Sequence, residues 1–464
     1  MDIIKTYDLL VIGAGSAGVR SSRLATNRGK KVALIEASKI GGTCVNRGCV
    51  PKKLMFYASS YAHDFLQSQG FGWSVSGEQE FNWNQFMVTK EKELARLESI
   101  YLKNITNAGV DLYHSSARFI SPNEVKLSTG EIIKSENIII ATGSKAFIPK
   151  DLAGVEHCIT TDEALTLPEK PESMLIYGAG YSAVEFANIF HGLGVKVTLV
   201  HARDLVLTRF DHDLRMKLNQ AMIDKGIEII PNTRVTKIEG TDNSKLVTLL
   251  DGSIKEYSKV LFCLGRVPNT SSLNLDVTGV ELGSRGEIIV DEYQRTNIPN
   301  IYALGDVKGK VQLAPVAIAE AIAVIKSIYE NKPNDLDYSS IPTAVFSQPE
   351  LASVGCTEEV AALAYKRLDV YRIEFRPMKH TLSGDKERVF MKLLVNAEDD
   401  TVVGVHLFGS GSAELIQVLG VCVTAKVKKS DFDKTMAVHP TSAEELVLCY
   451  NPSYSYYNGE RQNI

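Results

Sequence analysis

The sequence predicts an α/β protein in which two similar units precede a separate α+β domain. Each unit reads as an apolar strand, a glycine-rich turn, a helix and a second strand, over residues 7–36 and again over 173–200. A turn of this kind between a strand and a helix is typical of Rossmann-like domains, which bind a dinucleotide at the helix N-terminus. From about residue 340 the chain alternates in the two-residue period of strands and then turns helical. The predicted fold class is therefore α/β, with two Rossmann-like nucleotide-binding domains and a C-terminal α+β domain.

The composition is typical of a folded protein with several domains. Apolar residues make up 44% of the 464 residues and charged residues 23%, and the length suggests about three domains. A net charge of -4 argues against a general nucleic-acid binder, because such proteins need a basic surface to neutralise phosphates. The apolar runs fall short of the ~20 residues that a membrane-spanning helix needs. We therefore expect neither a nucleic-acid partner nor a membrane partner.

The cysteines and the N-terminus predict a cytoplasmic location. Residues 1–12 lack the basic region and the cleavage site of a signal peptide. Apart from one pair, the cysteines stand singly along the chain, unlike the disulfide framework of a secreted protein. The reducing cytoplasm fits this pattern best.

The order of the segments predicts the domain boundaries. The first nucleotide-binding domain is expected over residues 1–145 and the second over 146–266. Another strand-like run followed by a helix-like run predicts that residues 267–339 return to the first domain. Residues 340–464 form the α+β domain, and we expect its polar, tyrosine-rich end, 451–464, to be a flexible extension.

The first glycine turn predicts an FAD site. Gly13, Gly15, Ser16 and Gly18 would let the backbone approach a pyrophosphate at the N-terminus of the following helix. Glu36 ends the second strand of the unit, where a carboxylate accepts hydrogen bonds from ribose hydroxyls and repels a 2'-phosphate. FAD suits such a site, because it carries no 2'-phosphate.

The second glycine turn predicts a nicotinamide nucleotide site. Its contacts are expected at Gly178, Gly180, Tyr181 and Ala183. The position that corresponds to Glu36 is His201, followed by Arg203 and Arg209. Without a carboxylate, and with cations nearby, this site favours NADPH over NADH. The alternative is that both arginines lie on a solvated loop and bind nothing.

Cys44 and Cys49 form the sharpest motif of the sequence, Gly41-Gly-Thr-Cys44-Val-Asn-Arg-Gly-Cys49-Val-Pro-Lys52. Other cysteines and histidines do not complete a metal site at ligand spacing, so we expect no metal and interpret the pair as redox-active. Pro51 predicts that a helix begins just after Cys49, and a helix N-terminus beside an ammonium lowers the pKa of a thiol. We expect a thiolate at Cys49 and a more accessible thiol at Cys44.

These motifs together resemble the pyridine nucleotide-disulfide oxidoreductases over essentially the whole chain, and within them the enzymes that reduce glutathione disulfide. The resemblance implies a homodimer in which hydride from NADPH passes through FAD and the cysteine pair to glutathione disulfide. It implies that Cys49 is the charge-transfer thiol near the flavin and Cys44 the interchange thiol. Lys52 would lie near the flavin N5 with Glu185 as its carboxylate partner.

The resemblance also implies further cofactor contacts. Those expected for FAD are Gly42 and Thr43 beside the cysteine pair, Thr142 and Gly143 after a buried strand, and Asp306 in Ala303-Leu-Gly-Asp-Val307. Arg266, in Leu264-Gly-Arg-Val-Pro268, would lie by the nicotinamide nucleotide.

A histidine and a carboxylate near the C-terminus predict a general acid/base pair. His439 precedes Glu444 by about one helical turn, and a carboxylate would hold the tautomer of an imidazole that protonates a departing thiolate. The resemblance implies that this histidine reaches the disulfide bound to the other subunit. The active site would then be shared, with the last domain as the dimer interface.

A cluster of cations suits an anionic substrate such as glutathione disulfide. Arg20 and Arg23 share one face of the first helix, and Arg47 lies between the two cysteines. The resemblance implies a substrate pocket that contains Arg23 with Ile100, Tyr101 and Asn104.

Three positions depart from the pattern of the family. Ile322 stands where an arginine that binds glutathione is expected, and Ala202 and Thr208 stand where arginines for the NADP phosphate are expected. The alternatives left open are a dihydrolipoyl dehydrogenase, an NADH-dependent reductase of a glutathione variant, and a non-catalytic flavoprotein that binds a partner.

Overall fold

The computed structural model describes residues 4–74, 77, 80–241, 244–333 and 335–463. Its N-terminal elements are β1 (Ile4–Ile12), α1 (Ser16–Thr26), β2 (Val32–Glu36), α2 (Gly42–Arg47), α3 (Cys49–Ser68), α4 (Trp83–Asn107), β3 (Asp111–His114), β4 (Ala117–Ser121), β5 (Glu124–Leu127), β6 (Ile132–Ile140) and β7 (Ser144–Ala146). The first sheet has the order β3-β2-β1-β6-β5-β4. Its central strands β2, β1 and β6 are parallel, and their runs 32–35, 9–12 and 138–140 are buried, which explains why these runs are continuously apolar.

The second unit contains β8 (Ile159–Thr160), α5 (Thr161–Ala164), β9 (Ser173–Tyr177), α6 (Tyr181–Gly192), β10 (Lys196–Val200), α7 (His212–Asp224), β11 (Glu228–Ile230), β12 (Val235–Gly240), β13 (Lys245–Leu249), β14 (Ile254–Tyr257), β15 (Lys259–Phe262) and β16 (Arg266–Pro268). A parallel sheet has the order β11-β10-β9-β15-β8, and β12, β13 and β14 form an antiparallel sheet beside it. Because β9 lies between β10 and β15, the turn after it lies at the point where the strand order reverses, which is the usual ligand site of such a sheet.

The chain then returns to the first sheet. The strand β17 (Ile301–Ala303) pairs in parallel with β6, so that Ile301 lies opposite Ile138. The helix α8 (Ala314–Glu330) packs against α1, and their small buried residues, among them Ala25 and Ala321, share one core.

The last part of the chain forms a separate antiparallel sheet with helices. Its elements are β18 (Thr343–Val345), β19 (Leu351–Gly355), α9 (Glu358–Ala364), β20 (Arg367–Phe375), α10 (Met378–Ser383), β21 (Val389–Asn396), β22 (Thr401–Phe408), α11 (Ser412–Thr424), α12 (Lys429–Lys434), α13 (Glu445–Leu448), β23 (Tyr454–Tyr457) and β24 (Glu460–Gln462). The sheet order is β18-β19-β22-β21-β20-β23-β24. The predicted fold class is confirmed. Among the helices in the described ranges, none is long and apolar enough to cross a membrane.

The expectation of a flexible C-terminal extension is wrong. β23 pairs with β20, and β24 folds back on β23 through a turn at Asn458 and Gly459, both with positive φ. Tyr454 is only 4% exposed, and the hydroxyls of Tyr454 and Tyr456 donate to Oε1 of Glu358 at 2.8 and 2.9 Å. An Asn-Gly turn next to alternating tyrosines is a hairpin signal, and it outweighs the polar composition of this segment.

A cluster of buried charges joins the second unit to the last domain. Lys392 on β21 lies 2.8 Å from Oδ1 of Asp211 and 2.7 Å from Oδ2 of Asp213, which stand at the start of α7. Its Nζ also contacts Glu358 of α9. Because Lys392 and Asp211 are fully buried, each depends on the other for compensation of its charge.

We expect Lys392→Met to lower stability by about 3–5 kcal/mol, because it leaves the buried Asp211 carboxylate without its cation. The measurement is Tm by calorimetry. The matched control is Lys434→Met, which removes an exposed pair with Asp431 at 3.9 Å and should cost under about 1 kcal/mol. Equal Tm values for the two variants would contradict a structural role of the cluster.

Candidate active site

The first glycine turn leaves room for a pyrophosphate. Gly13 has a φ of +103°, and a Cβ there would lie 2.4 Å from the carbonyl oxygen of Ala141, so only glycine fits. A Cβ on Gly15 would meet no atom nearer than the Cα of Gly42, at 4.0 Å. Gly15 and Ser16, the first residue of α1, line a cavity of about 780 Å³. The amides at this helix N-terminus therefore face an open cradle of the kind that binds a phosphate anion.

Two further residues predicted for FAD, Gly18 and Glu36, do not line the cavity. A Cβ on Gly18 would lie 1.8 Å from the carbonyl oxygen of Gly13, so this glycine permits the close packing of helix on turn. The carboxylate of Glu36 accepts from Ala14 N at 2.7 Å and from Ser38 N at 2.8 Å. These amides fix Glu36 at the end of β2, beside the turn.

The remaining residues predicted for FAD lie on or next to the same cavity. Thr43, Gly143 and Asp306 line it. Gly42 packs on the turn, since a Cβ there would lie 2.6 Å from the Cα of Gly15. Thr142 turns away from the cavity and donates from Oγ1 to the carbonyl of Asn269 at 2.8 Å. The open cradle at Gly15 and the polar groups along the cavity fit FAD.

Ser144 is a residue of the site that the sequence analysis missed. Its hydroxyl donates to Oδ2 of Asp306 at 2.7 Å and accepts from Nε of Arg266 at 2.7 Å, while Nη2 of Arg266 donates to the carbonyl of Ser144 at 2.6 Å. Burial raises the pKa of Asp306. One hydroxyl thus orients both a residue predicted for FAD and one predicted for the nicotinamide nucleotide. A serine after a Thr-Gly turn carries no signal for this role.

The helix that follows the second glycine turn begins at the same cavity. A Cβ on Gly178 would lie 2.3 Å from the carbonyl oxygen of Cys263, whereas one on Gly180 would meet no atom within 4 Å. Tyr181, the first residue of α6, lines the cavity, and Ala183 is fully buried beneath it. The space at Gly180 and the start of α6 fit the pyrophosphate of a nicotinamide nucleotide.

The residues predicted to bind the 2'-phosphate differ in exposure. His201 directly follows β10 and has a buried ring, and burial lowers its pKa, which disfavours the cationic form. Arg203 and Arg209 are exposed, and Arg209 lines the cavity. Ala202 and Thr208 are exposed beside them. Of the three residues predicted here, Arg209 is the one in the cavity wall.

The two redox cysteines lie in the cavity wall at adjoining helices. Cys44 belongs to the short helix α2, and Cys49 is the first residue of α3, as the sequence predicted to within one residue. Their exposures are the reverse of our expectation: Cys49 is exposed and Cys44 half-buried. Both thiols line the cavity, and Cys44 is the more covered because α2 packs against both α3 and α4.

The pKa values of the two thiols move apart. The pKa of Cys49 is lowered to about 7, because a hydrogen bond from Cys44 and the charge of Lys52 together outweigh the desolvation of the thiol. The same hydrogen bond, together with burial, raises the pKa of Cys44. In the reduced pair the thiolate at neutral pH is therefore on Cys49, which agrees with the role implied by the resemblance.

Lys52 and Glu185 form the predicted ion pair. Nζ of Lys52 lies 2.8 Å from Oε1 of Glu185, which is 2% exposed on α6. The same oxygen accepts from the amide of Phe346 at 3.0 Å, and Nζ lies 4.1 Å from the centre of that aromatic ring. Phe346 follows β18 in the last domain and was not predicted, because contacts between domains leave no local pattern in a sequence.

His439 and Glu444 form the predicted pair, apart from the cysteines of the same chain. Nδ1 of His439 lies 3.0 Å from Oε2 of Glu444, so a proton on Nδ1 leaves Nε2 free to exchange a proton. The histidine side chain is 80% exposed, and neither residue lines the cavity. The reach of His439 to a disulfide on another subunit stays a prediction.

The residues predicted to bind the substrate cluster near α1 and α4, which pack against each other. Arg20 and Ile100 are exposed, while Arg23, Tyr101 and Asn104 are half-buried. Burial raises the pKa of Tyr101, and the charges of Cys44 and Cys49 add to this effect, so the phenol lies near the cysteine pair.

Two side chains modify the expected basic surface. Arg47 is partly neutralised by Asp162, which lies 3.4 Å from its Nη1 and was not foreseen. Ile322 is half-buried on α8 and brings no charge. Of the three arginines predicted for this surface, Arg20 and Arg23 are not in an ion pair with a described residue.

Comparison with known proteins shows the family of the chain. A family model described as pyridine nucleotide-disulphide oxidoreductase matches residues 7–321, and a model for the dimerisation domain of these proteins matches residues 341–449. The protein belongs to the pyridine nucleotide-disulphide oxidoreductases, and the predicted family is confirmed.

Three relatives show which members of this family the chain resembles. The chain is 42% identical over 458 residues to the chloroplastic/mitochondrial glutathione reductase of Pisum sativum, which covers 96% of this chain and 83% of that protein. It is 42% identical over 445 residues to the glutathione reductase of Burkholderia cepacia, with 96% and 98% covered. It is also 39% identical over 482 residues to the trypanothione reductase of Trypanosoma congolense, with 98% of each covered.

We expect the thiol of Cys49 in the reduced protein to ionise near pH 7 and to be the thiol below and the thiolate above that pH. Cys44→Ala should raise this midpoint, because it removes the hydrogen bond that stabilises the thiolate most. The measurement is an anaerobic pH titration of thiolate absorbance in the ultraviolet, with Cys49→Ser as the control that lacks the transition. An unchanged midpoint in Cys44→Ala would contradict this coupling.

Proposed function

We propose that the protein reduces glutathione disulfide with NADPH and forms two molecules of glutathione. The observation that carries the proposal is the cysteine pair in the cavity wall, with Cys49 at the start of α3 and the Lys52–Glu185 ion pair beside it. The helices that follow the two glycine turns both begin at this cavity, so two dinucleotides and the cysteine pair would meet there. The two glutathione reductases that are 42% identical to this chain support the choice of substrate.

The two cofactors are assigned to the residues that surround the cavity. Bound FAD would supply the two-electron chemistry that connects a nicotinamide with the Cys44–Cys49 disulfide. The residues proposed to hold FAD are Gly13, Gly15, Ser16, Gly18, Glu36, Gly42, Thr43, Thr142, Gly143 and Asp306, with Lys52 and Glu185 beside it. Those proposed for NADPH are Gly178, Gly180, Tyr181, Ala183, His201, Arg203, Arg209 and Arg266, of which Arg209 is best placed for a 2'-phosphate.

The thiol exchange uses two successive attacks. His439 of the partner subunit takes the proton of the Cys44 thiol, and the resulting thiolate attacks one sulfur of glutathione disulfide, forms a mixed disulfide and expels the first glutathione as a thiolate. That thiolate takes a proton from His439 of the partner subunit, whose tautomer Glu444 holds. The Cys49 thiolate then attacks Cys44, releases the second glutathione and restores the Cys44–Cys49 disulfide. The lowered pKa of Cys49 suits it to this second attack.

The substrate pocket is proposed to bind the negatively charged carboxylates of glutathione. Arg20 and Arg23 supply cations on α1, and Ile100, Tyr101 and Asn104 supply the wall on α4. Because Ile322 brings no third cation, Arg20 and Arg23 carry the recognition of carboxylates on this side.

The same proposal includes the division of the chain and its location. The domains are 1–145 and 267–339 for FAD, 146–266 for NADPH, and 340–464 for the contact between the subunits of a homodimer. The cytoplasm is the proposed compartment, because the five cysteines outside the redox pair are free thiols.

The deciding experiment follows oxidation of NADPH and, separately, NADH by the anaerobic holoenzyme. The acceptors are glutathione disulfide, lipoamide and trypanothione disulfide. We expect fast turnover with NADPH and glutathione disulfide alone, because Arg209 favours a 2'-phosphate and Arg20 and Arg23 favour an anionic substrate. Cys44→Ser is the control, which should keep its FAD and lose disulfide turnover. Turnover confined to NADH, or to another acceptor, would overturn the assignment.

We expect His439→Ala to slow disulfide reduction by about a hundredfold or more, because the leaving thiolate loses its proton donor. The rate of flavin reduction by NADPH should be unchanged, since His439 does not line the cavity. Stopped-flow absorbance separates the two rates. The control is His157→Ala, which removes another histidine that lies near a carboxylate, Glu156 at 3.9 Å. Equal slowing of both half-reactions would contradict the role of His439.

A further inference from the structure

Four potential metal ligands converge beside the helix that carries Cys49. His63 and Gln67 lie one turn apart near the end of α3, and Asp385 and Glu387 lie in the segment between α10 and β21. The ligand atoms of His63, Asp385 and Glu387 all lie within 4.8 Å of one another. The amide of Gln67 stands between two of them, 3.0 Å from Nε2 of His63 and 2.7 Å from Oδ2 of Asp385.

While Asp385 is ionised, no assignment of protons satisfies this arrangement. Nε2 of His63 lies 2.7 Å from Oδ2 of Asp385, and Nε2 of Gln67 closes the triangle. If Nε2 of His63 carries a proton for Asp385, it faces a second donor in the amide of Gln67. If that nitrogen is unprotonated, its lone pair faces the carboxylate. Rotating the amide to present Oε1 instead brings two oxygen acceptors together. One repulsive contact remains in every case.

A cation among these groups removes the conflict. With the amide rotated, Nε2 of His63, Oε1 of Gln67 and Oδ2 of Asp385 all direct lone pairs at it, and the carboxylate of Glu387 is within reach. Gln67 is only 6% exposed, and its buried Oε1 has no hydrogen-bond partner among the described residues, so the rotation that brings Oε1 to the cation satisfies this oxygen and moves the NH2 group to its former position. A buried amide oxygen without a partner costs free energy unless some ligand satisfies it.

The carboxylates of the cluster are not all paired with cationic side chains. Nζ of Lys225 lies 3.9 Å from Oε2 of Glu387, a long ion pair. Asp385 forms its ion pair with His63 and has no lysine or arginine partner within 4.0 Å among the described residues. One carboxylate is therefore left for a bound cation.

We propose that His63, Gln67, Asp385 and Glu387 form a binding site for a divalent transition metal of the Zn²⁺ class. One imidazole nitrogen with carboxylate and amide oxygens is a ligand set that Zn²⁺ and its neighbours accept, whereas Mg²⁺ and Ca²⁺ prefer oxygen alone. The sequence predicted no metal because closely spaced cysteines and histidines are lacking there, and the two halves of the site are far apart in the chain. The metal would link α3 to the last domain.

The test is calorimetric titration of the metal-free, oxidised holoenzyme with Zn²⁺. Oxidation matters because it holds Cys44 and Cys49 as a disulfide, which cannot compete as thiolate ligands. We expect one Zn²⁺ per chain at this site and a Tm that rises with Zn²⁺ concentration. His63→Ala and Asp385→Asn should each abolish this binding or weaken it by more than about tenfold.

The matched control is His157→Ala, since His157 lies 3.9 Å from Glu156 but belongs to none of the groups of three ligands found among the described residues. It should bind Zn²⁺ as the unaltered protein does. Asp385→Asn keeps the shape of the side chain, so it reports on the metal even if His63→Ala folds poorly. Absence of Zn²⁺ binding by the unaltered protein, or binding that Asp385→Asn leaves unchanged, would overturn the proposal.

Discussion

The ion pair between Lys52 and Glu185 is the contact on which the active site depends. Glu185 belongs to the second nucleotide unit, Lys52 to the helix that begins with Cys49, and the amide of Phe346 reaches the same carboxylate from the last domain. All three parts of the chain thus meet at one buried carboxylate. The helices α3 and α6 can approach closely enough for this because residue 192 is a glycine. A Cβ on Gly192 would lie only 2.8 Å from the carbonyl oxygen of Ser59. The ammonium held there is one of the charges that lower the pKa of Cys49.

The features that the sequence predicted well are those encoded in short segments. The glycine turns, the start of α3 beside Cys49 and the pairing of His439 with Glu444 depend on residues a few positions apart, where spacing alone fixes the geometry. The class of fold followed from the same segments, because a strand, a turn and a helix in order leave few arrangements. The C-terminal hairpin was not predicted, although Asn458 and Gly459 form a typical hairpin turn. The polar composition of the segment was given more weight than this turn.

The contacts that the sequence could not reveal join residues distant along the chain. Ser144 bridges Asp306 and Arg266, and Asp162 partly neutralises Arg47. Each of these is an ordinary polar residue in its own segment. The same holds for the exposure of the two thiols, because the side of α3 that faces the cavity is fixed by packing between helices. Tertiary placement, rather than local propensity, decided these positions.

The late return of β17 to the first sheet has a consequence for synthesis of the chain. Ile301–Ala303 completes a sheet whose other strands end at Ile140, and the whole second unit lies between them. A ribosome therefore releases the second unit before the N-terminal sheet can close. Until then the edge of β6 presents unpaired backbone groups beside Ile138, Ile139 and Ile140, an edge on which other chains can add a strand. We expect nascent chains that stop short of residue 303 to aggregate, and folding to be paced by this long-range pairing.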